Sequence, residues 1–182
     1  MTETAVFGGG CFWCTEAVFS ELRGVLKAEP GYSGGTVANP SYEQVCTSKT
    51  GHAEVVQVTF DPSVISFKDL LEVFFSTHDP TTPNRQGGDV GPQYRSVIFY
   101  QGEEQRREAE GLISRLQSEK VYGKPVVTQV APLTAFYPAE EYHHDYFRKN
   151  PSQGYCRAVI SPKVAKFRSH YRDLLKAQPG AS

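Results

Sequence analysis

Three consecutive glycines followed at once by a cysteine constrain this chain more than any other stretch. Residues 4–7 have the composition of a short buried strand, and the glycines occupy positions 8–10. Glycine lets the backbone turn tightly and lets another molecule approach closely. From Phe12 to Leu22 the apolar residues recur at helical spacing. The pattern predicts a strand, a tight turn and a helix, with Cys11 at or just before the helix N-terminus.

Cys11 is placed where a negative charge is favoured. Free amide groups and the helix dipole at a helix N-terminus stabilise an anion. We therefore expect the pKa of Cys11 to lie below the ~8.5 of a free cysteine, which would make it a nucleophilic thiolate. The alternative is a small buried apolar side chain. A phosphate-binding loop is disfavoured because no Lys-Ser/Thr pair follows and the glycines lack the GxGxxG order.

The four cysteines leave several chemistries open. They are Cys11, Cys14, Cys46 and Cys156. A chain of this size without a recognisable signal peptide rarely has a structural disulfide framework, so redox or metal chemistry is the better expectation. Cys11 and Cys14 form a CxxC pair, which is found in dithiol–disulfide oxidoreductases and in zinc sites. A zinc-stabilised interaction module therefore remains an alternative, although the pair lacks a second CxxC or a spaced histidine pair.

Composition excludes several other classes of protein. The chain has 19 basic and 20 acidic residues, a formal net charge of −1, and 39% hydrophobic residues. A dedicated nucleic-acid-binding protein normally has a basic excess. No run approaches the ~20 apolar residues of a membrane span, and the N-terminus lacks a basic region and a long apolar stretch. We expect a cytoplasmic monomer with no nucleic-acid or membrane partner.

Periodicity along the chain predicts an α+β fold. Alternating apolar residues predict a strand at 53–60, and Ser66 with Asp69 forms a capping-box pattern that opens a helix. Further elements are expected as strands at 25–32, 96–100 and 125–131, and as helices at 67–78, 103–120 and 161–174, the last beginning with Ser161 as cap and Pro162. We expect one catalytic domain over residues 1–182, with a two-layer sheet-and-helix core at about 1–135 and a long irregular tail of coil plus a terminal helix at 136–182.

Polar residues near predicted strand ends are candidates for proton transfer and binding. Glu54 stands at the mouth of an apolar strand, where desolvation would raise its pKa and let it donate a proton near neutral pH. His52 could instead be the base of a Cys–His pair. Asp89 lies in a glycine-rich loop, and Tyr42 and Tyr94 lie in loops as well. Each of these could equally be structural.

Seven short motifs, in order along the chain, together resemble the peptide methionine sulfoxide reductase A family. One motif alone would be weak, but the whole ordered set makes chance similarity very improbable. The motifs are Gly9-Gly10-Cys11-Phe12-Trp13, Gly31-Tyr32-Ser33-Gly34-Gly35, Tyr42 with Val45-Cys46-Thr47, Thr50-Gly51-His52-Ala53-Glu54, His78-Asp79-Pro80, Gln86 through Ser96, and Asn150-Pro151 with Gly154-Tyr155-Cys156.

The resemblance implies a ferredoxin-like core and the reduction of methionine-S-sulfoxide, free or in proteins, without a cofactor. It implies that Cys11 attacks the sulfoxide sulfur, and thioredoxin is the implied reductant. It also implies that Glu54, Tyr42 and Tyr94 hold the sulfoxide oxygen. Phe12 and Trp13 would hold the methyl group, and Asp89 would have a supporting role. These roles suit the chemistry, since a sulfoxide sulfur becomes electrophilic when its oxygen is protonated or strongly hydrogen-bonded.

Attack would leave Cys11 as a sulfenic acid, which condenses readily with a nearby thiol. Cys156, in an irregular and mobile tail, is the expected resolving thiol, and Cys14 is the alternative. The sequence departs from the family pattern in three places. Cys14 and Gly88 stand where many members have glycine and asparagine, and no further cysteine follows Cys156. Cys46 is expected to be structural.

Overall fold

The computed structural model describes residues 1–176 and is built around a six-stranded sheet. The strands of the described residues are β1 (Glu3–Gly8), β2 (Val25–Ser33), β3 (Ala53–Phe60), β4 (Arg85–Gln86), β5 (Asp89–Val90), β6 (Val97–Tyr100), β7 (Gln129–Pro132) and β8 (Tyr137–Pro138). The α-helices of the same residues are α1 (Phe12–Phe19), α2 (Tyr42–Cys46), α3 (Phe67–Thr77), α4 (Glu103–Ser118), α5 (Tyr146–Lys149) and α6 (Ser161–His170). Within residues 1–176, no helix combines the length and apolarity that a membrane span requires.

The sheet has the strand order β7-β6-β1-β3-β2-β8. Strands β1, β2, β3 and β6 pair antiparallel, and α1 and α3 connect them as a βαββαβ unit. This order, with β1 between β6 and β3, is that of a ferredoxin-like core. The α+β fold class and the ferredoxin-like core are therefore confirmed. Strand β7 adds parallel to β6, and β8 adds antiparallel to β2.

Alternation along the strands creates two apolar faces of unequal size. Phe7 and Val56 point to the face covered by α1, α3, α4 and α6, where Phe7 packs against Phe19 and Phe74 with ring centroids 5.1 Å apart in each case. The opposite face carries a smaller cluster that includes Val55 and is covered by the segment around residues 131–136. The result is one main core between the sheet and the helices.

Most predicted elements are present, with shifted ends. Strand β3 has the predicted bounds, and Ser66 and Asp69 form the predicted capping box. Helix α1 ends at Phe19, three residues before the predicted end, and β7 begins only at Gln129. Ser161 is not a cap, since its side chain makes no capping hydrogen bond and the backbone is already helical before it.

Residues 136–176 contain more regular structure than the expected coil and terminal helix. Strand β8 extends the main sheet, and 3₁₀ turns occur at Glu141–His143 and Arg172–Leu174. Cys156–Ile160 form a π-helical segment that continues directly into α6. Packing against the core orders this segment, because Ile160 and Phe167 are almost fully buried. The part of the expected domain at 177–182 lies outside the described residues.

The glycine triplet is required by close packing as well as by turning. A Cβ atom on Gly8 would lie 2.9 Å from the carbonyl oxygen of Glu54, and one on Gly9 would lie 2.8 Å from the ring of His78. Gly10 has φ +93°, in the region that favours glycine. The triplet therefore brings the end of β1 against β3 and turns the chain into α1.

We predict that Gly10→Ala destabilises the fold by about 1–3 kcal/mol, because a side chain at this φ is strained and its Cβ would lie 2.7 Å from Gln86. The free energy of unfolding in urea measures the effect. Gly111→Ala is the control, since it lies in α4 with no atom near the added Cβ. Higher helix propensity should make that variant more stable by about 1 kcal/mol. Equal stabilities for the two variants would contradict this account of the turn.

Candidate active site

Cys11 is the N-cap residue of α1, as the sequence predicts. Its backbone is extended (φ −64°, ψ 129°), and its carbonyl oxygen accepts a hydrogen bond from the amide of Cys14 at 3.1 Å. The amide of Trp13 lies in the first helical turn beside the Cys11 side chain and acts to lower the pKa of Cys11. Because N-cap and N3 side chains face each other across the first helical turn, the Cys11 and Cys14 thiols lie close enough for each to shift the pKa of the other.

Glu54 occupies a nearly dry position beside the same helix terminus. The side chain is 1% exposed, and its Oε1 accepts a hydrogen bond from the amide of Phe12 at 3.1 Å. Burial raises the pKa of Glu54 to about 8, although the Phe12 hydrogen bond opposes that rise. The carboxyl group is therefore mainly protonated at neutral pH. Since Oε1 is an acceptor, the proton belongs on Oε2.

Two buried polar atoms have no hydrogen-bond partner among residues 1–176, and both lie at this site. They are Oε2 of Glu54 and Nε2 of His143. Buried polar groups are normally paired, so an unpaired one calls for a functional explanation. Nδ1 of His143 accepts from the indole of Trp13 at 3.0 Å, which places the imidazole proton on Nε2. The site thus presents two buried donors that a ligand could satisfy.

The expectation of a lowered pKa for Cys11 was wrong. Burial raises the pKa of Cys11 well above its usual value, and the neighbouring Cys14 and Glu54 act in the same direction. The amide of Trp13 favours the thiolate but does not outweigh these effects. The neighbouring Cys11 thiol, together with the charge of Lys163, lowers the pKa of Cys14 to about 7. In the resting protein Cys11 is therefore a thiol, and Cys14 is the more acidic of the two.

Tyr42 and Tyr94 are half-buried on the rim of the site. Burial raises the pKa of both hydroxyls, and the charge of Glu54 contributes to each rise, which places both near that carboxyl group. Both tyrosines therefore stay protonated and can donate hydrogen bonds at any physiological pH. The Tyr42 hydroxyl contacts the exposed thiol of Cys46.

Aromatic rings form the apolar wall beside Cys11. Phe12 is 1% exposed and lies against Tyr42 and His143, with ring centroids 6.3 Å and 5.0 Å away. Trp13 is half-buried and stacks flat on Tyr146 at 3.7 Å. Phe12 is thus both a core residue and a neighbour of the site, whereas Trp13 remains partly open to a ligand.

Asp89 is linked to the cysteine pair through Tyr155. The Tyr155 hydroxyl donates to Oδ2 of Asp89 at 2.6 Å and lies 3.8 Å from the Cys14 sulfur. The structure therefore brings Cys11, Cys14, Glu54, Tyr42, Tyr94, Phe12, Trp13 and Asp89 into one region. A Cys–His pair with His52 is not formed, because both ring nitrogens of His52 bind backbone groups, Gly35 N at 3.0 Å and Val37 O at 2.7 Å.

Cys156 is not on a mobile segment, contrary to the sequence-based expectation. It is fully buried at the start of the π-helical segment and belongs to the main core together with Cys14. Burial raises its pKa, and the charge of Cys14 contributes to that rise. Cys156 is therefore buried in the core near Cys14.

Two carboxylates that hold the site together are not among the residues that the sequence indicated. Glu140 accepts from the Tyr32 hydroxyl at 2.9 Å and from the amide of Tyr42 at 2.8 Å. Glu16 accepts from the amide of Asp145 at 2.8 Å, just before α5 and Tyr146. Both contacts span about a hundred residues or more, so no local pattern could have indicated them. Among residues 1–176, no three His, Cys, Asp or Glu side chains are grouped as metal ligands would be.

Comparison with known proteins identifies the family. Residues 3–175 match the family described as peptide methionine sulfoxide reductase. The chain belongs to the peptide methionine sulfoxide reductase family. The peptide methionine sulfoxide reductase MsrA of Deinococcus radiodurans is 59% identical over 96% of this chain and 84% of its own length. The MsrA of Sulfolobus acidocaldarius is 60% identical over 94% of this chain and 96% of its own length.

Solved structures of similar proteins share the fold. Reduced Mxr1 of Saccharomyces cerevisiae aligns with a TM-score of 0.78 at 34% identity, covering 85% of this chain and 89% of Mxr1. Methionine sulfoxide reductase A of Corynebacterium diphtheriae aligns with a TM-score of 0.77 at 37% identity, covering 86% of this chain and 78% of that protein. Mxr1 has also been solved in complex with Trx2, and that chain aligns with a TM-score of 0.55 at 23% identity over 80% of this chain and 84% of its own.

We predict that Glu54→Gln becomes increasingly more stable than the wild type of this reductase-family protein as pH rises from about 5 to about 8. Folded Glu54 keeps its proton up to about pH 8, whereas the unfolded chain loses it near the ordinary value of 4.5. Wild-type stability therefore falls with pH in that window because the folded state binds more protons. The glutamine side chain keeps the Phe12 hydrogen bond without a titrating group. Melting temperatures measure the difference, and a gap that is independent of pH would contradict the prediction.

Proposed function

We propose that this protein reduces methionine-S-sulfoxide, in proteins and as the free amino acid, with Cys11 as nucleophile and Glu54 as proton donor. The observation that carries the proposal is the unpaired Oε2–H of Glu54 beside the thiol. A sulfoxide oxygen is a strong acceptor and would satisfy that donor. Family membership supports the substrate class, and Trp13, open beside the site, would contact the methyl group together with Phe12.

Proton transfer drives the first step. The Cys11 sulfur attacks the sulfoxide sulfur while Glu54 protonates the sulfoxide oxygen, and the tyrosine hydroxyls of Tyr42 and Tyr94 stabilise the developing charge. The oxygen passes as a hydroxyl group from the methionine sulfur to the Cys11 sulfur, and the transient bond between the two sulfurs breaks. Methionine is released, and Cys11 is left as a sulfenic acid. The proton lost by the Cys11 thiol restores Glu54, so the step consumes no net proton. A raised pKa for Cys11 fits this cycle, because the thiol holds the proton until the substrate needs it.

Cys14 is the first resolving thiol in this proposal. It lies one helical turn from Cys11 and has the lower pKa of the pair, so it is the ready nucleophile. Its attack on the sulfenic acid forms the Cys11–Cys14 disulfide and releases water. Cys156, the thiol favoured by the sequence, could then attack Cys14 and free Cys11. That second exchange requires the π-helical segment to move.

A dithiol protein of the thioredoxin type is the proposed reductant. Yeast Mxr1, which aligns over most of this chain, has been solved in complex with Trx2. All four cysteines are free thiols. Proteins of the reducing cytoplasm usually keep their cysteines in this state, and we propose that this protein acts there. The whole chain is proposed to act as one catalytic domain.

We predict that turnover of methionine sulfoxide is abolished in Cys11→Ser and falls by about 10²–10⁴ in Glu54→Gln. In the wild type the proton donor is present below its pKa of about 8 and lost above it, so kcat should decline through that pH. Glu54→Gln should lose the declining limb. Glu104→Gln, on the exposed face of α4, is the control and should match the wild type. Wild-type turnover in Cys11→Ser would rule out the mechanism.

We predict that one equivalent of sulfoxide substrate gives mainly a Cys11–Cys14 disulfide, since these thiols are adjacent in the resting protein. Quenching with a thiol-blocking reagent and peptide mapping by mass spectrometry identify the linked pair. Cys14→Ser should instead accumulate the sulfenic acid, which a dimedone adduct detects. Cys156→Ser should still form the disulfide. A dominant Cys11–Cys156 link at the earliest times would show that Cys14 is not the first partner.

A further inference from the structure

An open groove of about 890 Å³ runs between the C-terminal end of α3 and helix α6. The loop at 121–124 closes one side of it. None of the groups assigned to sulfoxide binding lines it. Its volume falls in the range of sites for small organic ligands, roughly 300–1,000 Å³. The groove is therefore separate from the sulfoxide site and large enough for a ligand the size of a tripeptide.

The lining of the groove is cationic over an apolar floor. Its positively charged or titratable basic residues are His78, Lys124, Lys163, Lys166 and His170, and Asp79 is its one acidic residue. Within residues 1–176, none of the three lysines forms an ion pair. Asp79 is held by the hydroxyl and amide of Thr81. The charge is complementary to a ligand with carboxylate groups.

The inner wall of the groove is shared with a small cavity that Cys14 lines. A cavity of about 10 Å³, enough for about one water molecule, is lined by Cys14, Thr77, His78 and Lys163. The last three of these also line the groove. Lys163 is thus shared between the groove and the cavity beside the Cys14 sulfur. Its charge favours the Cys14 thiolate.

We propose that this groove binds an anionic low-molecular-weight thiol, which reduces the Cys11–Cys14 disulfide by attacking the Cys14 sulfur. The inference rests on the proposed function, because that function supplies the disulfide. The carboxylates of the thiol would pair with Lys124 and Lys166, and its sulfur would enter past Lys163. A neutral thiol would gain nothing from these contacts.

Two successive thiol–disulfide exchanges reduce the Cys11–Cys14 disulfide. The ligand thiolate forms a bond to the Cys14 sulfur, the Cys11–Cys14 bond breaks, and Cys11 leaves as a thiolate that takes up a proton. A second ligand thiolate then attacks the sulfur of the bound ligand and releases Cys14. Two ligand thiols are oxidised to one ligand disulfide, and the protein disulfide gains two electrons.

The test uses full-length protein that one equivalent of sulfoxide has oxidised. Its reduction is followed by stopped-flow with glutathione, which is anionic, and with 2-mercaptoethanol, which is neutral. We expect Lys124→Glu/Lys166→Glu to slow reduction by glutathione about tenfold, as expected for reversing two nearby exposed charges, and to leave the 2-mercaptoethanol rate within about twofold. Lys27→Glu/Lys68→Glu, with the same change of charge on exposed lysines outside the groove, should leave both rates unchanged.

Three results would overturn the proposal. Equal slowing with both thiols would mean that the lysines act only on the reactivity of Cys14. An unchanged glutathione rate would mean that the groove binds no anionic thiol. Slowing confined to reduction by a thioredoxin would make the groove a protein-docking surface. Methionine released in the first turnover, before any reductant acts, tests the proposed function separately and should be the same in all the variants.

Discussion

The hydrogen bond from the amide of Phe12 to Oε1 of Glu54 organises the site of this protein. It connects the first turn of α1 to β3, and it uses the one carboxyl oxygen that faces the helix. The other oxygen is left buried and unpaired. Since burial keeps the group protonated at neutral pH, the fold holds a hydrogen-bond donor next to a thiol. The chemistry that we propose follows from that arrangement.

The fold creates this environment through close packing where the central strands β1 and β3 end and begin. Gly8 lets β1 lie directly against the backbone of Glu54, and the apolar wall of Phe12 excludes water from the carboxyl group. Such a site reduces the stability of the fold at neutral pH. In the unfolded chain the carboxyl group would be ionised in water, whereas the fold holds it protonated up to about pH 8. The core between the sheet and the helices offsets this loss. Stability and function are therefore opposed at Glu54.

The sequence predicted the features that depend on local patterns of residues. It did not predict the features that depend on packing between residues far apart in the chain. The alternation of β3, the capping box of α3 and the N-cap position of Cys11 are all local, and each is present. Strand β8 has two residues and forms by pairing with β2, so no periodicity announces it. The raised pKa of Cys11 depends on burial and on Glu54 as well as on nearby Cys14. The burial of Cys156 depends on packing against residues distant in sequence. The family resemblance indicated which residues meet, whereas their protonation required the structure.

The central claim is that Glu54 carries a proton in the folded protein at neutral pH. Infrared difference spectroscopy of wild type against Glu54→Gln measures this directly through the carbonyl stretch of a protonated carboxyl group. The account predicts a band that is absent from the variant, present at pH 7, and lost with a midpoint near the pKa of about 8. A band that disappears near the ordinary value of 4.5 would show that Glu54 is ionised in the resting site and would contradict the account.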